Sequence, residues 1–317
     1  MHHHQAPPPH IVVVGSINMD LVARMARLPR LGETVSGESF QTIPGGKGAN
    51  QAVAAARLSA RVTMIGRLGD DPFAVVLRNG LNEAGIDTKY VFDTFDCSSG
   101  VALIGVETSG ANCITVIPAA NYRLTESDVE RCDSVIASAD ALIVQLETPI
   151  PTIIAAVTIA KKHRVLTILD PAPAPAASLP PDLFAVDILS PNQTEAEALT
   201  GIVVNDWDSA ERAARDLKQK GARNVVMKLG AMGALVLSED GSIQCVDTVK
   251  ARIIDTTAAG DAFTAAMTVT FAAGRSLIEA VQIGCLAGTL ACTRIGAQPA
   301  MPTREDLESW NRSMGNS

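Results

Sequence analysis

Residues 141–169 read ALIVQLETPIPTIIAAVTIAKKHRVLTIL. An apolar run at 141–144, a helical pattern over 151–162 and a second apolar run at 165–169 follow one another without polar alternation inside either run. Continuous apolar strands fit burial on both faces, so this stretch predicts a strand-helix-strand unit of a parallel sheet with helices on either side. The pattern extends outward. Runs at 11–14 and 62–65 flank an alanine-rich helix at 50–58; runs at 186–189 and 225–229 alternate with helix candidates at 194–200 and 209–220. The expected fold is α/β, a doubly wound, mostly parallel sheet.

Two regions break the pattern. Residues 34–44 and 100–118 read as half-polar strands, the second a hairpin turning at Thr-Ser-Gly-Ala-Asn. A small antiparallel sheet built from about 34–44 and 98–119 is expected beside the main one, either as a lid over a cleft or as an inert edge hairpin. One domain over 11–310 follows, with a disordered tail or tag at 1–10 and a second tail at 311–317. The segment 171–181, PAPAPAASLPP, is expected to be a stiff loop.

The 317 residues are 47% hydrophobic and 19% charged, a composition for a packed globule rather than a disordered chain. A net charge of −8 with 3% aromatic residues opposes binding to nucleic acid or an anionic membrane. No run of 18 apolar residues is present and the N-terminus lacks a signal-peptide core, so a cytoplasmic protein is expected. Six cysteines without a CxxC pair read as reduced core thiols. Four of five histidines fall in the first ten residues, leaving His163 as the one expected in the folded body, at a solvated helix end; a multi-histidine metal site is excluded.

The stretch 255–263, DTTAAGDAF, is expected to lead from a strand at 249–254 into a helix at 262–273. Small residues allow a tight turn there, and the amides of Ala258, Ala259 and Gly260 at a helix start form an anion site. Asp261 is then either a base at the mouth of a phosphate cradle or an ordinary helix cap. Residues 44–51, PGGKGANQ, match neither a Walker loop nor a GxGxxG fingerprint. They form either a tight turn or a polar-ligand loop in which Asn50 meets hydroxyls and Lys47 an anion. Asn18 and Asp20 after the first strand, Gln145 and Glu147, Asp170 and Asn192 all follow strand ends, where an open parallel sheet lines its crevice. Asn18 and Asp20 would otherwise be exposed loop residues.

In order along the chain, GSINMD (15–20), PGGKGANQAVAAARL (44–58), SPNQTEAEALTG (190–201), DTTAAGDAF (255–263) and TRIGAQPAMP (293–302) resemble the ribokinase-like (PfkB) carbohydrate kinases, over about 11–307. The resemblance implies transfer of the γ-phosphoryl group of ATP to the 5-hydroxyl of D-ribose, with Mg²⁺ and activation by K⁺. It implies that Asp261 is the general base, with Ala258, Ala259 and Gly260 as anion hole. Asn18, Asp20, Gly46, Lys47, Gly48, Asn50 and Glu147 would hold the sugar. Asn192 and Glu195, which could equally be helix caps, would lie near phosphate and Mg²⁺; Lys228, Gly230, Gly233 and Cys285 would lie along the nucleotide. A monovalent cation would take the Asp255 side chain and the carbonyls of Thr257, Ala291, Arg294 and Gly296. Three residues depart from the pattern: Lys228 replaces Thr or Ser, Cys285 replaces His or Asn near adenine, and Ala300 replaces a serine of the cation site. A homodimer through the lid sheets is implied. Other readings are a kinase for deoxyribose, fructose or a nucleoside, and a sugar-binding protein without turnover.

Overall fold

The computed structural model describes residues 7–314. In chain order the elements are β1 (His10–Val14), β2 (Asn18–Met25), β3 (Gly37–Gly45), α1 (Lys47–Arg57), β4 (Arg61–Leu68), α2 (Pro72–Glu83), β5 (Asp87–Asp93), β6 (Gly100–Glu107) and β7 (Asn112–Ile117). Then come α3 (Glu126–Glu130), α4 (Asp133–Ala137), β8 (Ala141–Val144), α5 (Ile150–His163), β9 (Leu166–Leu169), β10 (Ile188–Leu189), α6 (Gln193–Thr200) and α7 (Trp207–Gln219). The chain continues with β11 (Asn224–Lys228), β12 (Ala234–Leu237), β13 (Ile243–Val246), α8 (Ala259–Ala272), α9 (Leu277–Ala291) and α10 (Arg304–Met314).

Nine strands form the main sheet in the order β13-β12-β11-β10-β9-β8-β1-β4-β5, parallel from β11 to β5 and antiparallel at β12 and β13. Strand periodicity explains the layers. Ile11 and Val13 of β1 join one apolar cluster with α1, α8 and α9, whereas Val12 and Val14 join another with α5 and α7. In β8, Ala141 and Ile143 divide from Leu142 and Val144 in the same way. Each short strand is therefore apolar throughout because both of its faces are covered.

The second sheet has the order β3-β2-β6-β7. The sequence reading anticipates β3, β6 and β7 but leaves 18–25 as loop. That segment is the inner strand β2, antiparallel to β3 and parallel to β6. The segment 249–254, expected to be a strand, pairs with no strand. β13 already closes that edge of the main sheet, and Ile254 and Asp255 instead donate their amides to the Cys292 carbonyl at 2.8 and 3.2 Å.

Smaller expectations also shift. His10, assigned to the tail, opens β1 with its ring buried and its Nε2 3.0 Å from Thr63 Oγ1, so the folded body holds a second histidine. Residues 1–6 of that tail lie outside the described residues, as do 315–317, while α10 carries the chain through most of the expected second tail. His163 ends α5 as expected and meets Asp133 at 2.9 Å. Cys132, Cys285 and Cys292 are buried thiols; Cys113 and Cys245 are exposed, because both lie on edge strands, and Cys97 is half-buried. No helix among the described residues is long and apolar enough to cross a membrane.

Candidate active site

Ala258, in the left-handed region at φ 57°, turns the chain into α8, and no side chain caps the helix. The first amides of a helix lack intrahelical partners. The Ala258 and Gly260 amides have no hydrogen-bond partner among the described residues, whereas the Ala259 amide reaches the Thr256 carbonyl at 3.3 Å. The anion cradle expected from Ala258, Ala259 and Gly260 thus has two open donors and one partly engaged. All three residues line a cavity of about 430 Å³.

Asp261 does not cap its helix. Its Oδ2 accepts from Asn50 Nδ2 and its Oδ1 from Gln51 Nε2, both at 2.9 Å and both from α1. The carboxyl is buried at the cavity wall, and burial raises its pKa to about 6 against the pull of Lys47 and the amides of Asn50 and Gln51; the Asp170 charge adds to the rise. Such a group ionises near neutral pH and can then accept a proton. Asn50 Oδ1 is buried without a partner, an acceptor turned toward no protein donor.

The α1 start depends on close backbone approach. A Cβ on Gly48 would lie 2.7 Å from the Gly15 carbonyl carbon and the Ser16 nitrogen, and Gly46 holds φ 87°. This packing sets Ser16 Oγ donating to Glu147 Oε2, which also accepts the Lys47 amide at 3.1 Å. Gly48→Val should therefore destabilise the fold by about 1–3 kcal/mol through overpacking. Thermal melting checks this: a Tm lowered by several degrees is expected, and an unchanged Tm would contradict the contact.

Burial and the charges of Glu147 and Asp261 raise Asp20 to about 7, and its carboxylate lies against Gly45, where a Cβ would come within 2.3 Å of Oδ2. Asn18 Oδ1 accepts from Asn121 Nδ2 at 2.7 Å, and Asn121 Oδ1 accepts the Ile17 amide at 2.9 Å. β2 therefore presents Asn18 and Asp20 from a strand, not from an exposed loop, and both are buried. Lys47 stands among carboxylates. Burial opposes its charge, but Asp261, Glu147, Asp170 and Glu195 together drive its pKa up.

On the far side of the cavity Asn192 and Glu195 form a capping box for α6, with Glu195 N donating to Asn192 Oδ1 at 2.8 Å and Asn192 N to Glu195 Oε2 at 2.7 Å. Both also line the cavity, so the capping and ligand readings describe the same pair. Burial pushes the Glu195 carboxyl up, opposed by Lys228. Lys228 and Gly230 line the cavity too; Gly233 serves the turn before β12, at φ 95°, where a Cβ would lie 2.1 Å from the Val246 carbonyl oxygen. Cys285 is not among the lining residues. It packs in the α8–α9 core, where burial and the Asp247 charge push its thiol to about 12. Near the α8 turn, Asp255 accepts from the Thr257 amide (2.9 Å) and hydroxyl (2.6 Å) and from the Gly296 amide (2.9 Å). These bonds overcome burial and hold the Asp255 carboxyl below the usual range, while drawing together the segments that carry Thr257, Ala291, Arg294 and Gly296. Ala300, fully buried, has no side-chain ligand atom.

Ser16, Gln51 and Asn121 receive no role from the sequence, although Ser16 and Gln51 stand inside the quoted motifs. Asp170 is visible only as a polar strand end. Their side-chain partners are 58 to 210 residues away in the chain, except for the Ser16–Gly48 contact. Asn121 carries no local signal at all.

The family described as pfkB family carbohydrate kinase matches residues 8–304. The chain is 40% identical over 296 residues to the ribokinase of Haemophilus influenzae, covering 93% of this chain and 96% of that one. It is 34% identical over 300 residues to the deoxyribokinase of Salmonella typhi, covering 95% and 98%. The structure of Arabidopsis thaliana ribokinase complexed with ribose and ATP superposes with a TM-score of 0.89 at 32% identity, covering 95% of this chain and 98% of the other.

Proposed function

Since the chain belongs to the pfkB family of carbohydrate kinases, we propose that it transfers the γ-phosphoryl group of ATP to the 5-hydroxyl of D-ribose, giving D-ribose 5-phosphate and ADP. It is an ATP-dependent carbohydrate kinase. The observation that carries the assignment of roles is the buried Asp261 carboxylate, oriented by Asn50 and Gln51 beside the open amides of the α8 turn.

Asp261 takes the proton of the 5-hydroxyl as the sugar oxygen bonds to the γ-phosphorus and the bond to the β-γ bridging oxygen breaks, releasing ADP. The amides of Ala258 and Gly260, with Ala259 as a weaker donor, face the charge on the migrating phosphoryl group. Asn18, Asp20, Gly46, Lys47, Gly48, Asn50 and Glu147 hold the sugar. The buried carboxyl of Asp20 and the unpartnered Asn50 Oδ1 are acceptors that only hydroxyl donors satisfy, which penalises sugars lacking them. Lys228, Gly230 and Gly233 follow the nucleotide; Cys285, buried in the core and outside the cavity lining, gives the base no polar contact.

The oxygen donors fit two ions. Asn192 and Glu195 would hold Mg²⁺ through water, and that ion would neutralise phosphate charge. The Asp255 carboxylate and the carbonyls of Thr257, Ala291, Arg294 and Gly296 would supply an all-oxygen set suited to K⁺, whose binding would order the α8 turn.

The small sheet is read as a lid and as the dimer interface. Ile114 and Val116 share the sheet face that carries Asp20, through the register Asp20–Ala102–Val116, and remain exposed. A second copy covering this face would also shield the β7 edge. Light scattering should give a dimer mass, and Ile114→Asp should give a monomer; a monomeric native chain would refute the interface.

A sugar panel followed by ADP release, with and without K⁺, tests the function. Ribose is expected to give the highest kcat/KM and K⁺ to raise it. A large preference for deoxyribose, fructose or adenosine would reassign the substrate.

A further inference from the structure

Asp170, one residue past β9, has a side chain 1% exposed, yet it binds three other elements. Its Oδ1 accepts from Lys228 Nζ at 2.7 Å; its Oδ2 accepts from Gln51 Nε2 at 2.9 Å and from Thr264 Oγ1 at 3.2 Å. These donors come from β11, α1 and α8. Lys228, 11% exposed at its side chain, lines the cavity, and its Nζ stands 3.7 Å from where a Cβ on Gly260 would lie. An ammonium carries three N–H donors, and the ion pair occupies one. The others are within the cavity that the open α8 amides also face.

We propose that Lys228 is a catalytic residue that meets the transferring phosphoryl group beside the Ala258 and Gly260 amides, and that Asp170 is the positioning residue that aims it. This rests on the kinase reading and extends it to a buried carboxylate that touches no sugar. Gln51 links the two halves of the site, because the same Nε2 donates to Asp170 Oδ2 and to Asp261 Oδ1, and its Oε1 is fixed by Gln145 Nε2 at 2.7 Å. The base and the anchor of the cation thus share one spacer.

A buried ion pair can instead be purely structural, and the two roles separate experimentally. Loss of one partner leaves an uncompensated buried charge, whereas replacing both by neutral groups relieves it. Lys228→Met should lower Tm and cut kcat about 10²-fold, the scale of one lost transition-state donor. Asp170→Asn, close in shape, should cut kcat roughly tenfold through misplacement of the ammonium. The double variant Asp170→Asn/Lys228→Met should regain Tm but keep the low kcat. Calorimetry with Mg²⁺-ATP in the absence of sugar should show roughly tenfold weaker binding in both Lys228→Met and the double variant, while ribose affinity stays that of the native protein. A double variant with native kcat and ATP affinity would reduce the pair to a structural one and overturn the proposal; native ATP affinity in Lys228→Met would do the same. If the native protein phosphorylates no sugar, the kinase reading fails, and the ATP-binding arm still decides whether Lys228 meets phosphate.

Discussion

Replacing Asp261 by Asn should slow phosphoryl transfer by about 10²–10⁴-fold, the range contributed by a positioned general base, while leaving ribose affinity nearly intact. Asn keeps the shape but cannot accept a proton. It also offers one acceptor oxygen where Asp261 offers two, so one N–H, of Asn50 or of Gln51, loses its acceptor and a modest fall in Tm is expected. Rate and melting temperature measured on the same preparation separate the two effects. The native enzyme provides a second check. The Asp261 pKa is raised to about 6, and a base works only when deprotonated. Lowering the pH below about 6 should therefore decrease kcat/KM, approaching tenfold per pH unit, and raising it above that value should restore the rate. A profile flat from about pH 5 to 8 would remove Asp261 from the chemistry.

Lys47→Met should produce the next largest loss, about 10²–10³-fold in kcat, typical of removing one charge-stabilising donor. The ammonium lies in the field of Asp261, Glu147, Asp170 and Glu195, and a bound nucleotide would add the negative charge of its phosphates. Without it the carboxylates repel one another and the incoming phosphates alike. Lys47 also lowers the Asp261 pKa, so its removal should shift the acid limb of kcat/KM to higher pH. The sign is the diagnostic part: loss of a purely steric contact would lower the rate without moving the limb. A limb that stays in place would place Lys47 outside the electrostatic field of the base.

The parallel sheet was legible because its strands are short, apolar and buried on both faces, as in Ala141–Val144. Strand β2 was not, because Asn18 and Asp20 put polar groups at its start and its partner β6 lies far along the chain. The segment 249–254 erred in the opposite direction: Lys250 and Arg252 interrupt its apolar residues, and β13 has already closed the edge. At the site, the local pattern around Asp261 was degenerate between a helix cap and a base. Only the contacts with Asn50 and Gln51, 211 and 210 residues away in the chain, remove the capping alternative. Asn121 and the Asp170–Lys228 pair belong to the same class, since neither partner announces the other locally.

The most direct test is a crystal structure with D-ribose and a non-hydrolysable ATP analogue bound. One Asp261 oxygen should lie within hydrogen-bond reach of the 5-hydroxyl, about 2.6–3.2 Å, with the γ-phosphate against the α8 amides. A 5-hydroxyl directed away from that carboxylate, or a γ-phosphate remote from the turn, would contradict the mechanism.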